Sequence, residues 1–268
     1  MARAKPKSAL HETISTVVWA LVIALGFRTL FFQPFWIPSE SMKSSLLIGD
    51  FLFVNKMAYG YSRYSCPFAV CPIEGRIFGS DPERGDVVVF RHPTSGDDYI
   101  KRVIGLPGDT VQMKEGRVIL NGQELVQQPD GIFAETYEPQ GPMKSLPRCG
   151  NGVVGLGASC ERSRSIETIP TGEGDKTRSY PVLNIADSTG LPDNSEIFTV
   201  PEGHFFFMGD NRDNSMDSRF RQGAQGGVGM VSADLLIGRA DRVIFSAAGS
   251  RLWYFWTWRM DRFFHGIE

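Results

Sequence analysis

GDVVVFRHPTSGDDYIKRVIGLPGD, residues 85–109, is the stretch that decides the fold. It contains two short apolar runs, GDVVVFRHP (85–93) and DYIKRVIGLPGD (98–109). Both are rich in β-branched and aromatic residues and bounded by turn formers, which predicts strands. The same texture recurs outward, in GDFLFVNK (49–56), GRVILNGQEL (116–125), EIFTVPEGHFFFMGDN (196–211) and GRADRVIFS (238–246). Asn121-Gly122 within VILNGQEL is a hairpin signal. Helical periodicity is weak between residues 50 and 245, so a mainly β body is expected, an antiparallel, barrel-like sheet. A chain of 268 residues has ample length to bury such a core. Its 28 Lys and Arg against 30 Asp and Glu lack the basic surplus of a nucleic-acid binder. A hydrophobic content of 42% with 22% charged residues excludes a disordered chain.

One stretch does not fit a soluble body. Residues 14–32 read ISTVVWALVIALGFRTLFF, with Arg28 the only charge. Roughly 20 apolar residues suffice to cross a bilayer, and an arginine near one end can snorkel to the headgroups. A cleavable signal peptide has a shorter apolar region and a small-residue cleavage site, whereas bulky FFQPFW follows here. A buried or surface amphipathic helix would carry a polar face, which this segment lacks. Arg3, Lys5 and Lys7 precede it against Glu12, and no Lys or Arg lies between Thr29 and Met42. The expectation is a cytoplasmic tail (1–12), a retained transmembrane anchor (13–34) and an extracytoplasmic body.

Within the body, residues 35–125 and 196–250 form the expected β core. Residues 126–195, rich in Gly, Pro, Ser and Thr, read as a β-rich insertion with long loops. Four cysteines in an extracytoplasmic body favour disulfides and allow three pairings. The shortest loops are closed by Cys66–Cys71 and Cys149–Cys160; zinc is the other reading, although tight CxxC knuckles are missing. The tail, 251–268, is rich in aromatics, with Trp253, Trp256, Met260, Phe263 and Phe264 at helical spacing. It reads either as a last helix packed on the core or as a segment inserted in the bilayer interface.

The chemistry starts just after the anchor, at IPSESMKSSL (37–46), where Ser39 and Ser41 could supply a nucleophile and an auxiliary donor. They could equally cap a helix beginning at MKSSLL. A serine nucleophile needs a base. His11 precedes the anchor, His265 is terminal, and His92 and His204 lack a neighbouring carboxylate; a triad of His92 with Asp86 stays an open alternative. Lysine can serve when burial lowers its pKa. Lys43 lies among serines and Lys56 at a turn, while Lys101 stands in a strand between apolar neighbours. Alternation puts Lys101 on the face of Tyr99 and Val103 and Arg102 on the other. The competing reading of Lys101 is an edge-strand gatekeeper. GDNRDNSMDSR (209–219) follows a buried strand. A calcium loop fits poorly because Arg212 occupies a ligand position, and a network of Asp–Arg pairs fits better. Such a network could hold Ser215 against a neutral lysine.

Taken in order, IPSESM (37–42), RGDVVVF (84–90), DYIKRVIGLPGD (98–109) and GDNRDNSMDSR (209–219) resemble the bacterial type I signal peptidases, membrane-anchored Ser–Lys proteases. The resemblance implies Ser41 as nucleophile and Lys101 as general base, with Ser39 and the Ser41 N–H as oxyanion hole. It implies that Ser215 orients Lys101 and that Asp217 and Arg219 brace the site. Met42, Leu46, Tyr99 and Ile100 would form the apolar walls that accept small side chains of the substrate. No cofactor or metal is implied. The implied partners are exported preproteins and the lipid bilayer, not nucleic acid. The implied location is the inner (plasma) membrane, N-terminus cytoplasmic and catalytic body outside. Two positions depart from the family's pattern: Ser44-Ser45 stands where Pro-Thr is frequent, and Glu40 where glycine is frequent. A carboxylate at Glu40 must point away from a developing oxyanion. The alternatives are a Ser–Lys peptidase with a different exported substrate and a non-catalytic, membrane-tethered envelope assembly protein.

Overall fold

A computed structural model describes residues 9–223, 226–249 and 251–267. Arg3, Lys5 and Lys7, which set the expected orientation of the anchor, lie outside the described residues. Helix α1 (Ala9–Leu30) leaves its apolar side chains uncovered, Trp19 at 64% and Ile23 at 67% exposure. It is long and apolar enough to cross a bilayer. The expected anchor, 13–34, ends earlier than its apolar run suggests. Strand β1 (Phe32–Trp36) begins almost at once, because Pro34 cannot extend a helix and the segment pairs with β2 (Asp50–Asn55). Rings step from helix to sheet: Phe27 lies 6.1 Å from Phe32, and Phe32 lies 6.1 Å from Phe53.

The body is mostly β, built on a curled antiparallel sheet. Its further strands are β3 (Val87–Arg91), β4 (Asp98–Gly105), β5 (Thr110–Lys114), β6 (Arg117–Leu120), β7 (Val126–Thr136), β8 (Ser159–Pro170), β9 (Thr177–Asn184), β10 (His204–Met208) and β11 (Leu236–Ser246). The main sheet runs β1–β2–β11–β3–β4–β10 and ends in the two-residue strand Val231–Ser232. Strand β4 pairs with β3 from Asp98 to Arg102 and with β10 only at Arg102, Val103 and Gly105; Lys101, opposite Val88, is buried and so is no solvent-facing gatekeeper. Val87 and Val89 enter one apolar cluster, with Ile37, Met42, Leu46, Leu52, Val54 and Ile100. Val88 and Phe90 enter another, with Val103, Phe205 and Phe207. Both faces of β3 are therefore buried, which explains its unbroken apolar run.

Residues 126–195 contribute a separate antiparallel sheet, β7–β8–β9. Its Ile169, Tyr180 and Val182 share a third cluster with Ile104, Val111, Phe206 and Met208 of the core. The cysteines pair locally, Cys66–Cys71 and Cys149–Cys160. Asn121 and Gly122 both take positive φ (52° and 79°), as the two-residue turn between β6 and Gln123–Glu124 requires.

Two expectations need correction. EIFTVPEGHFFFMGDN is two strands: Phe198–Thr199 pairs with β5, and β10 pairs with β4. Pro201 starts the turn between them, its carbonyl accepting from the His204 N–H. The aromatic tail holds two 3-10 turns, Phe255–Thr257 and Met260–Arg262, and no α-helix among the described residues. Polar ties override its helical spacing. Arg262 pairs with Asp50 at 2.6 Å, and Arg259 donates to the Ile48 carbonyl at 2.9 Å. Trp258 and Phe263 each pack 5.1 Å from Phe245, while Trp253, Phe255, Trp256, Met260 and Phe264 remain exposed.

Candidate active site

The segment from Ile37 to Leu46 enters the body by strand-like pairing, the Ile37 N–H donating to the Asp50 carbonyl and the Gly49 N–H to the Ile37 carbonyl. It then closes in tight turns, Lys43 N–H to Glu40 carbonyl (3.0 Å) and Leu46 N–H to Met42 carbonyl (2.8 Å). No helix starts there, so neither serine is a helix cap. Met42 and Leu46 have no exposed surface, and they peg the segment into the apolar cluster that includes Ile100. Asn211 fixes the backbone on either side of Ser41. Its N–H donates to the Ser41 carbonyl (3.1 Å) and its side-chain amide to the Glu40 carbonyl (3.2 Å). Because the peptide unit is planar and trans, anchoring the Glu40 carbonyl turns the Ser41 N–H the opposite way. Ser39 Oγ lies 3.4 Å from Ser41 Oγ.

Lys101 comes to this segment from the middle of β4. Its Nζ lies 2.5 Å from Ser41 Oγ and donates to the Ile100 carbonyl at 3.2 Å. Residue exposure is 4% for Lys101 and 8% for Ser41. Burial lowers the lysine pKa from 10.5 to about 8, against the opposing pull of Asp217 and Asp210. The Tyr99 ring is centred 5.5 Å from Nζ, and the His92 ring packs against it at 4.6 Å. His92 accepts from the Thr94 and Ser95 N–H groups and makes no contact with Asp86, whose carboxylate pairs with Arg178 and accepts from Tyr59. The triad alternative has no geometry.

After β10 the chain folds residues 209–219 back on themselves. Arg219 grips Asp217 with two bonds of 2.9 Å, and the Gly209 N–H donates to Asp217 at 3.0 Å. Burial alone would raise the Asp217 pKa; Arg219 and the backbone donor outweigh it and hold the carboxyl below its usual range. Ser215 is buried close to Ser41 but makes no hydrogen bond to Lys101. It packs through Gly209, where a Cβ would fall 2.3 Å from Ser215 Oγ and 2.5 Å from the Ser41 carbonyl oxygen. Only glycine fits there.

Further charged side chains shape the site, and one of them, Glu167, escaped the sequence reading. Arg102, on the opposite face of β4, holds Asp210 with two bonds of 2.8 Å and stacks 3.9 Å over Tyr180 of β9. Arg212 grips Glu167 of β8 (2.5 and 2.8 Å), which also accepts from Tyr180 (2.7 Å). Glu40 faces Lys43 rather than Ser41, at 2.5 Å. The alternation of β4 and the charge density after β10 pointed to Arg102, Asp210 and Arg212. For Glu167 there was no signal, since a lone carboxylate in a polar strand reads as surface.

Comparison with known proteins gives a consistent set of likenesses. The family model described as "Signal peptidase, peptidase S26" matches residues 10–245. Signal peptidase I of Rickettsia typhi is 34% identical over 250 residues, covering 90% of this chain and 83% of its own length. That of Rickettsia felis is 37% identical over 225 residues, covering 81% and 74%. A solved signal peptidase I from Enterococcus faecalis V583 is 26% identical, covers 60% of this chain and 97% of its own, and has a TM-score of 0.30.

Proposed function

The chain belongs to the signal peptidase family, peptidase S26, and from that membership we propose a serine endopeptidase, anchored by α1, that removes signal peptides from exported preproteins with a Ser41–Lys101 dyad. The observation that carries the dyad is the 2.5 Å approach of Lys101 Nζ to Ser41 Oγ in a site where both residues are buried. An amine with a pKa of about 8 is in part neutral near pH 7 and can accept a proton. Lys101 takes the proton of Ser41 as Oγ attacks the carbonyl of the residue before the scissile bond. The Ser39 hydroxyl and the Ser41 N–H donate to the oxyanion, each such donor contributing about 3–4 kcal/mol. The lysine then passes its proton to the leaving amine and activates the water that releases the acyl group.

Tyr99 and Ile100 offer the apolar edge along which the substrate lies, and Met42 and Leu46 shape it from beneath as buried supports. Asp217, Arg219 and Ser215 brace the surroundings of Lys101. With α1 across the inner membrane and the N-terminus cytoplasmic, enzyme and signal peptide share one bilayer. That confinement raises their effective concentration. The deciding experiment incubates the purified protein with a preprotein and sequences the new N-terminus. Cleavage at the signal-peptide junction is expected and is lost in Ser41→Ala; cleavage by Ser41→Ala at the wild-type rate would overturn the dyad. In intact cells, protease added to the extracytoplasmic side should digest the body and spare an N-terminal tag.

A further inference from the structure

Glu40, the residue just before the serine, belongs to a closed group of buried charges. Lys43 Nζ lies 2.5 Å from Glu40 Oε1, 2.8 Å from both Glu135 oxygens and 2.9 Å from Gln140 Oε1. Arg162 Nη2 donates to Glu135 at 2.7 Å and stands 3.5 Å from Glu40 Oε1. Glu40 Oε2 accepts from Asn214 Nδ2 at 2.8 Å and from the Arg148 N–H at 3.4 Å. Two carboxylates meet two cations, so the group is neutral as a whole. Glu135, Gln140, Arg148 and Arg162 all come from the 126–195 insertion, and the Cys149–Cys160 disulfide ties together the two stretches that carry Arg148 and Arg162.

The placement has a chemical cost and a remedy. Glu40 contributes the carbonyl half of the peptide whose N–H is the proposed oxyanion donor. A free carboxylate at this position would oppose the charge that develops on the substrate oxygen. Asn214 and the Arg148 N–H hold the second carboxylate oxygen, while Lys43 holds the first. We propose that Lys43 and Arg162 are positioning residues that turn Glu40 away from the oxyanion and cancel its charge, so that the β7–β9 insertion completes the active site. The inference rests on Ser41 being the nucleophile.

The test uses the full-length protein in detergent micelles with a preprotein substrate. Ser41→Ala serves as the separate control: loss of cleavage there keeps the dyad, and retained cleavage removes the dyad whatever Lys43 does. Lys43→Met leaves the group with one excess negative charge and should lower kcat about tenfold or more, with KM within about twofold. Glu40→Gln/Lys43→Met restores neutrality and should bring kcat back to within about threefold of wild type. An unchanged kcat in Lys43→Met overturns the inference, and so does a loss that the double variant does not recover. Should Lys43→Met fail to fold, the insertion side gives the same reading. Arg162→Gln creates the same excess charge, and Glu40→Gln/Arg162→Gln should recover what it loses; no recovery there overturns the proposal.

Discussion

At Lys101, burial and chemistry pull in opposite directions. The fall from 10.5 to about 8 means that, at pH 7, the folded chain holds an ammonium it would hold more comfortably when unfolded. At about 1.4 kcal/mol per pKa unit the burden is about 3 kcal/mol. Between about pH 8 and 10.5 the unfolded chain retains a proton that the folded chain has released, so this group makes stability rise with pH across that window. The proposed mechanism needs the neutral amine, so kcat/KM should climb along an ionisation near 8 and level off above it. Lys101→Met should abolish cleavage and yet raise the thermal midpoint at pH 7. A midpoint that stays level or falls would mean that desolvation of this amine is not what lowers its pKa. Sequence showed this residue by alternation, because its neighbours Tyr99, Ile100 and Val103 are apolar, and by the family pattern in DYIKRVIGLPGD. Ser41 was legible only beside it: the turn that presents the serine to Lys101 depends on Asn211, which is 170 residues away in the chain.

Among the elements, strands with both faces covered were the easiest to read, because β3 and β4 combine β-branched runs with turn formers at each end. The tail misled because Trp253, Trp256 and Phe263 share a helical spacing, whereas Arg259 and Arg262 reach the start of β2 and hold the backbone in short turns. Strands β7–β9 looked peripheral because their charges resemble a solvated face. In the fold Arg162 and Glu167 turn inward, and Glu167 forms with Arg212 of the 209–219 segment a pair that is nearly unexposed on both sides. Breaking one partner of a buried pair leaves an uncompensated charge. Glu167→Leu should therefore cost about 3–5 kcal/mol in chemical denaturation. Glu167→Leu/Arg212→Met should cost much less, and equal losses in the single and double variants would deny the pair its role in docking β8 against residues 209–219.

On the scale of the whole molecule, the exposed rings of the tail form a second apolar surface besides α1. Trp253, Phe255, Trp256 and Phe264 are each about two-thirds exposed, and the Arg251 guanidinium lies 5.5 Å from the Trp253 ring centre. Tryptophan beside arginine suits the headgroup region. A form of the body lacking residues 1–31 should float with lipid vesicles, and Trp253→Ser/Trp256→Ser/Phe264→Ser should leave it in the aqueous fraction. Equal flotation of both forms would leave the tail no part in membrane contact.

A single residue, Phe31, separates α1 from β1. The stalk is therefore stiff, with no leash to pay out. Even fully drawn out, the backbone from Leu30 to Ser41 spans no more than roughly 40 Å, and pairing of β1 shortens it further. On the proposed function, with α1 set in a bilayer, the Ser41 hydroxyl would work at one altitude. Peptide bonds that pass through that thin layer would then come within range, while loops of mature proteins standing higher would escape by height alone, whatever residues they carry.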